Sequence, residues 1–261
     1  MKIEALEFST LHAQPLRVPA ELRLPATAQQ PAVLIIHGSG GVDGRGAFEA
    51  AALNGAGIAT LEPNLWKPRG LKGGADGRPK ALTETYADVA GALAFLAAHP
   101  AIDAQRIGIM GFSWGGIMSL SSMSKKFWAQ FPQVTARFAA HVPFYPVCYA
   151  FSRGGMFHDL IAGDLTGAPG LVIAGSADDY DDPDQATQML AGLPAQNRAL
   201  LRVEILPGAT HGFDIQRESF VAFDPLAAKG KGSQVRFTAN PPAAAQARAL
   251  TLGFMRTHLA A

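Results

Sequence analysis

The sequence predicts an α/β protein in which a mostly parallel, doubly wound sheet is flanked by helices. Short apolar runs alternate along the chain with segments of helical periodicity, and strands separated by helices pair in parallel through right-handed crossovers. The run AVLIIHG at 32–38 is almost continuously apolar, which is typical of a strand buried on both faces. In such sheets ligands bind at the carboxyl ends of the strands, so functional residues are expected there.

The elements follow one another without an internal repeat, and the Gly/Pro clusters lie at element ends rather than in a linker, so one domain spanning 1–261 is expected. Strands are predicted at 21–25, 32–38, 58–63, 106–112, 138–146, 170–175 and 201–208. Helices are predicted at 47–57, 83–98, 117–124, 183–193 and 243–259.

Composition narrows the class of protein. Hydrophobic residues make up 48% of the 261 residues and charged residues 16%, a globular balance that argues against long disorder or a coiled coil. Twenty-two Lys and Arg against 21 Asp and Glu leave a formal charge of +1, which gives no global attraction to nucleic acid or to an anionic membrane. A small-molecule substrate is therefore the expected partner.

Cysteine usage and apolar runs bear on redox chemistry and location. Cys148 is the single cysteine, so an internal disulfide and a cysteine metal cluster are excluded. No metal-ligand spacing such as HExxH occurs, and neither a metal nor a cofactor is expected. The N-terminus lacks the apolar core of a signal peptide, and no later run approaches the roughly 18 residues of a membrane span. A cytoplasmic location is the resulting expectation.

The most informative stretch is Gly111-Phe112-Ser113-Trp114-Gly115, where a β-like run ends and a helix-like run begins. A nucleophile elbow needs this pattern, because the serine occupies a strained turn and small neighbours let strand and helix pass closely. The following helix directs its N-terminus at Ser113, so the Trp114 N–H can help hold an oxyanion. We interpret Ser113 as a nucleophile, the alternative being a tight structural turn.

A serine nucleophile requires a base and an acid, which follow it in this order of elements. His211 lies in a Gly-flanked loop after the strand 201–208 and is the predicted base, whereas His258 lies in the last helix. Asp178 comes first after the strand 170–175 and is the predicted acid, with Asp179 as the alternative.

Two further patterns lie near these strands, one with a structural and one with a functional interpretation. Asp182 precedes Pro183, which indicates a helix N-cap, and the acidic cluster lacks the spacing of an EF-hand calcium site. The segment HGSGG at 37–41 supplies glycines that let backbone N–H groups face a substrate oxygen, so Ser39 or Gly40 is the second predicted oxyanion donor. His37 is interpreted as structural, and a phosphate cradle lacks its GxGxxG or Gly-Lys-Ser/Thr.

The segments VLIIHGSGG, IDAQRIGIMGFSWGG, LVIAGSADD and PGATHGFD, spread over 33–214, resemble the α/β-hydrolase superfamily and, within it, the dienelactone hydrolase family. The resemblance implies an eight-stranded type of core, ester hydrolysis through an acyl-enzyme, and no cofactor. It assigns the same roles to Ser113, Asp178 and His211. Dienelactone hydrolases proper carry cysteine at the nucleophile position, so the serine favours a serine esterase over a hydrolase of cyclic dienelactone.

Specificity and function stay open at this level. Phe144, Tyr145 and Cys148 are candidate pocket residues, although core packing uses the same residue types, and 144–169 could form a small cap. The basic segment 67–80 fits either an acidic substrate group or a solvated loop. The leading hypothesis is a carboxylesterase acting on small esters or lactones. The alternatives are a peptidase or acyl-aminoacyl hydrolase with the same triad, and a binding protein that has lost the chemistry.

Overall fold

A computed structural model of the protein describes residues 1–26 and 29–260. The strands are β1 (Lys2–Ser9), β2 (Arg17–Leu24), β3 (Gln30–Ile36), β4 (Ala59–Pro63), β5 (Ile102–Phe112), β6 (Ala140–Phe144), β7 (Gly170–Gly175), β8 (Leu201–Leu206), β9 (Phe220–Asp224) and β10 (Ser233–Phe237). The helices are α1 (Gly44–Gly55), α2 (Tyr86–Ala98), α3 (Trp114–Ser121), α4 (Lys125–Trp128), α5 (Cys148–Ser152), α6 (Met156–Ala162), α7 (Gln185–Ala191), α8 (Ala195–Arg198), α9 (Ala227–Gly230) and α10 (Pro241–His258). Short 3₁₀ turns lie at Lys67–Arg69 and Leu82–Thr85.

The central sheet has eight strands in the order β1-β2-β4-β3-β5-β6-β7-β8. The pairs from β4 through β8 are parallel, and β1 and β2 form an antiparallel edge. This arrangement confirms the predicted mostly parallel, doubly wound sheet. The strand β1 was not predicted, and it lengthens the sheet at the edge away from β8.

Helices cover both faces of the sheet, and the side-chain alternation along β3 decides which helices each face meets. Leu34 and Ile36 belong to the apolar cluster that includes α2 and α3, whereas Val33 and Ile35 belong to the cluster that includes α1 and α10. All four side chains are 0% exposed. The continuous apolar run is therefore explained by burial on both faces. None of the helices in the described residues combines the length and apolarity that crossing a bilayer requires.

A second, two-stranded sheet was not predicted. Strands β9 and β10 pair antiparallel, with Phe220 opposite Phe237 and Asp224 opposite Ser233. This hairpin lies between the loop that follows β8 and the last helix, α10. Its position after β8 places it beside the carboxyl end of the central sheet.

Candidate active site

Ser113 occupies a sharp turn between β5 and α3. Its backbone has φ 51° and ψ −104°, a left-handed conformation that costs free energy for a residue with a Cβ. The turn is held by a hydrogen bond from the Ser113 N–H to the Phe144 carbonyl, 3.0 Å. A Cβ at Gly111 would lie 2.5 Å from Gly115, and a Cβ at Gly115 would lie 2.1 Å from the Ile36 carbonyl oxygen. Both glycines are therefore required for the strand and the helix to approach this closely.

The hydroxyl of Ser113 is the first member of a hydrogen-bonded chain of three side chains. The His211 Nε2 lies 2.8 Å from the Ser113 Oγ, and the His211 Nδ1 lies 2.8 Å from the Asp178 Oδ2. Because a carboxylate only accepts, Nδ1 carries the proton, and Nε2 presents its lone pair to the serine hydroxyl. The other oxygen of Asp178 accepts the Tyr180 N–H at 2.8 Å. This arrangement can transfer a proton from the hydroxyl to the imidazole.

Two aromatic rings pack against the imidazole of His211. The centroid of the Tyr180 ring lies 4.2 Å from that of His211, and the centroid of the Tyr145 ring lies 4.7 Å from it. His211 and Asp178 have side chains that are 1% and 3% exposed. The pair is thus shielded from water, which strengthens the hydrogen bond between them.

The loop 37–41 lies against the elbow and is held by several bonds. The Ser39 carbonyl accepts the Trp66 indole N–H at 3.0 Å and the Gly74 N–H at 2.8 Å. His37 accepts the Leu65 N–H at its Nε2, 3.0 Å, and its Nδ1 lies 2.8 Å from the Gly38 carbonyl. Burial lowers the pKa of His37 to about 4, so it is neutral, and its contacts fit the structural role expected from the sequence.

The predicted oxyanion donors lie in two segments next to Ser113, the loop 37–41 and the start of α3. Ser39 and Gly40 line the cavity that contains Ser113 and His211, and Trp114 is the first residue of α3, where the first N–H groups have no intrahelical acceptor. The structure therefore brings together Ser113, His211, Ser39, Gly40 and the start of α3. These backbone groups can stabilise negative charge that develops on a substrate oxygen.

The cavity around Ser113 has a volume of about 250 Å³. One part of its wall is the segment 38–45, and another part is the hairpin β9–β10 with Tyr180 and Ile215. Aromatic side chains dominate the hairpin wall, namely Phe220, Phe223 and Phe237. This wall was not predicted, although QVRF at 234–237 alternates polar and apolar residues, the signal of a half-buried strand.

Three predicted pocket residues do not line this cavity. Phe144, Tyr145 and Cys148 are 0%, 1% and 0% exposed, and their side chains pack in the apolar core beneath the site. Burial raises the pKa of the Cys148 thiol well above its usual value, so the thiol stays protonated and unreactive. Their residue types were compatible with both positions, and in this structure they serve packing.

The acidic loop after β7 divides its carboxylates among different partners. Asp179 forms an ion pair with Arg236 of β10, 2.7 Å, and Asp182 forms one with Lys229, 2.6 Å. The expectation that Asp182 caps the next helix was wrong, because α7 begins at Gln185 and Asp184 holds the N-cap position. Asp179 and Asp182 thereby connect the loop that carries Asp178 to the hairpin segment.

The basic segment 67–80 is only partly solvated. Arg69 forms an ion pair with the buried Asp88, 2.7 Å, and Arg78 forms one with Asp224 of β9, 2.6 Å. Arg78 also donates to the Ser39 Oγ at 3.0 Å. The segment therefore connects the hairpin to the loop 37–41, a structural role that its charge alone did not indicate.

A buried polar network supports the loop that carries His211. Arg45 donates to the Tyr145 hydroxyl at 3.1 Å, and that hydroxyl donates to the Asp214 Oδ1 at 2.5 Å.

The carboxyl group of Glu49 on α1 is 1% exposed, and neither of its oxygens has a hydrogen-bond partner among the described residues. Burial, together with the charge of Asp214, raises the pKa of Glu49 to about 8, although Arg248 opposes this shift.

The raised pKa of Glu49 predicts a specific pH dependence of stability. Below the ordinary glutamate pKa of 4.5 the group is protonated in both states, and its burial costs no charge. As the pH rises from there towards about 8, the unfolded chain releases the proton first, so the free energy of unfolding falls. We expect Glu49→Gln to raise the melting temperature at alkaline pH, with a gain that shrinks as the pH falls towards about 4.

Thermal unfolding of the wild type and of Glu49→Gln, from about pH 4 to alkaline pH, measures this gain in melting temperature. The exposed Glu218 provides the control, since Glu218→Gln changes no buried charge and is expected to leave the pH dependence of the melting temperature as in the wild type. A gain in Glu49→Gln that is equal at all pH values would contradict a buried titrating carboxyl.

An open, mostly parallel sheet with a serine at the elbow between β5 and α3, and a histidine after the last strand, is the architecture of an α/β hydrolase. The model of the dienelactone hydrolase family matches residues 18–259. The chain therefore belongs to the dienelactone hydrolase family, a family of hydrolases, as its sequence resemblance predicted. A search of curated proteins found no match.

Solved structures agree with this assignment of the fold. A protein described as a putative dienelactone hydrolase from Klebsiella pneumoniae subsp. pneumoniae is 21% identical, with a TM-score of 0.68 over 98% of this chain and 99% of that chain. Esterase 2 of Thermogutta terrifontis, phosphorylated by paraoxon, is 18% identical, with a TM-score of 0.67 over 97% and 94%. A dienelactone hydrolase-like promiscuous phosphotriesterase from metagenomic libraries is 18% identical, with a TM-score of 0.67 over 99% of both chains.

Proposed function

We propose that this protein is a serine carboxylesterase that cleaves small carboxylic esters or lactones through an acyl-enzyme. The observation that carries the proposal is the hydrogen-bonded chain from Asp178 through His211 to Ser113, with 2.8 Å at each link. The chain ends at a serine that opens into a cavity. Family membership supports the same reaction class.

The proposed reaction begins with attack of the Ser113 Oγ on the ester carbonyl carbon, while its proton passes to the His211 Nε2. Asp178 holds the Nδ1 proton and stabilises the imidazolium. The backbone N–H groups of Trp114 and of Ser39 or Gly40 hold the oxyanion.

Collapse of this intermediate breaks the bond to the alcohol oxygen, which takes the proton from Nε2 and leaves. Water then attacks the acyl-enzyme and gives its proton to Nε2. The second collapse releases the carboxylic acid and returns the proton to Ser113. No cofactor enters this proposal, and the cytoplasmic location expected from the sequence stays a prediction.

Labelling with a fluorophosphonate probe tests the proposal. We expect one adduct per chain in intact-mass spectrometry, and peptide mapping is expected to place it on Ser113, because among the described residues no other serine is hydrogen-bonded to a histidine that a carboxylate orients. An adduct on another residue, or none, would contradict the assignment.

Parallel assays separate the ester from the amide hypothesis. We expect turnover of p-nitrophenyl acetate that exceeds turnover of an aminoacyl-p-nitroanilide. The opposite order would favour the peptidase. Labelling of Ser113 without turnover of either substrate class would favour a binding protein that has lost the chemistry.

A further inference from the structure

A buried ion pair beside the candidate active site joins Arg78 to Asp224 of β9. The Arg78 Nη1 lies 2.6 Å from the Asp224 Oδ2, and the Arg78 Nη2 lies 2.9 Å from the Asp224 Oδ1. Their side chains are 7% and 8% exposed. A paired fork of this kind fixes the relative position of its two partners. The burial of two charges is offset by their pairing at best, so the pair is poorly explained by stability alone.

The two partners of the ion pair line different cavities. Asp224 lines the cavity of about 250 Å³ that contains Ser113, whereas Arg78 lines a second cavity of about 560 Å³. Ala75 belongs to the walls of both. The two cavities are therefore neighbours, and the bridge between Arg78 and Asp224 lies in the partition between them.

Part of the wall of the second cavity is apolar, although Asp76 and Lys80 also line it. Trp114, which follows the nucleophile, lines it together with Phe157 of α6 and Leu226 of the hairpin segment. Met156, 48% exposed, lies at the same cavity. An apolar chain or ring that entered from the Ser113 side would find a favourable surface there. While the ion pair is intact, the cavity at Ser113 has a volume of about 250 Å³. This volume is smaller than the roughly 300 to 1,000 Å³ of pockets that bind drug-sized ligands.

We propose that the ion pair between Arg78 and Asp224 sets the upper size of the substrate, by closing the second cavity to groups bound at Ser113. The substrates are then esters of short acids, and the second cavity marks the direction in which larger ones would extend. This inference rests on the proposed esterase function. Arg78 also bonds to the Ser39 Oγ, so changes at Arg78 affect the turnover of every ester, and only the ratio between long and short esters reports the partition.

The wild-type protein supplies the first test. We expect kcat/KM for p-nitrophenyl esters to fall by about tenfold or more from butyrate to octanoate, the scale on which a closed pocket rejects added methylenes. A wild-type protein that hydrolyses octanoate as efficiently as acetate overturns the inference, whatever the variants do.

The second test opens the partition with Arg78→Met/Asp224→Leu. The double change removes both charges, so neither is left unpaired in the interior. We expect the ratio of kcat/KM for octanoate to kcat/KM for acetate to rise by about tenfold. The Arg78→Lys variant keeps the charge but loses the planar fork, and we expect a smaller rise in the same direction. The Arg78→Lys variant therefore tests the role of the ion pair even if the double variant does not fold.

Two controls replace other arginines by methionine. Arg236→Met breaks the exposed ion pair between β10 and Asp179, which anchors the same hairpin without lining the second cavity. Arg106→Met breaks an ion pair with Asp103 at the start of β5, remote from both cavities. We expect both variants to keep the wild-type ratio.

The outcomes distinguish this inference from the proposed function. An active double variant with the wild-type ratio overturns the partition and leaves the esterase intact. An equal rise in Arg236→Met also overturns it, because anchoring of the hairpin would then set the size. Absence of both ester turnover and Ser113 labelling in the wild type overturns the proposed function, and the partition with it.

Discussion

Ser113→Ala is expected to reduce kcat for p-nitrophenyl acetate by about 10⁶-fold, the loss found when the nucleophile of a serine triad is removed. Alanine keeps the Cβ, so the strained backbone at this position, φ 51°, faces the same steric cost in the variant. The hydrogen bond to His211 is the interaction lost. The loss of activity therefore measures the hydroxyl and not a refolded elbow.

Steady-state kinetics and fluorophosphonate labelling together measure this effect. We expect the variant to lose the adduct as well as the turnover, while its circular dichroism and melting temperature stay close to those of the wild type. Ser9→Ala is the matched control, because Ser9 is exposed on the edge strand β1. A folded Ser113→Ala protein with kcat within about tenfold of the wild type would contradict the acyl-enzyme mechanism.

The position of the elbow could be predicted from sequence because its determinants are local. Small residues on both sides of Ser113 are needed where strand and helix approach, and the structure has the Ile36 carbonyl oxygen within 2.1 Å of a Cβ built on Gly115. The order of serine, acid and histidine along the chain then limited the search to a few loops. Sheet architecture followed from the alternation of apolar runs and helices, each of which is also a local signal.

The hairpin wall could not be predicted in the same way, because its position depends on contacts between residues far apart in sequence. The ion pair of Arg78 with Asp224 joins residues 146 apart, and that of Arg236 with Asp179 joins residues 57 apart. Strand β9 has five residues, two of which, Val221 and Phe223, are 60% and 56% exposed. So short and exposed a strand is not stable alone, and its sequence pattern is correspondingly weak.

The direction in which side chains point also limited how much of the site could be predicted from the sequence. Phe144 ends β6 and Tyr145 follows it, both near the elbow as the sequence indicated, yet both side chains pack in the core. Tyr145 still affects the site, since its ring lies 4.7 Å from that of His211 and its hydroxyl bonds to Asp214. Proximity to the site was therefore predictable from the order of elements, whereas the sequence pattern did not show which side chains reach the cavity.

Asp178→Asn is expected to reduce kcat by about 10⁴-fold, the effect of replacing a triad acid by its amide. The amide can donate to Nδ1, which favours the tautomer with the proton on Nε2. In that tautomer His211 cannot accept the proton of Ser113, so the nucleophile is no longer activated. We expect fluorophosphonate still to modify Ser113, at a rate reduced by a comparable factor, because the hydroxyl itself is retained.

Asp182→Asn is the matched control for Asp178→Asn. Asp182 is only four residues from Asp178, but its carboxylate is 45% exposed and pairs with Lys229, an interaction worth about 0 to 1 kcal/mol at a protein surface. We expect its kcat to stay within about threefold of the wild type. If Asp182→Asn abolished turnover while Asp178→Asn left it intact, the acid of the triad would be misassigned. Slowed labelling of Asp178→Asn fits the proposed role of the acid, whereas complete absence of labelling with an unchanged melting temperature would contradict it, because the Ser113 hydroxyl is retained.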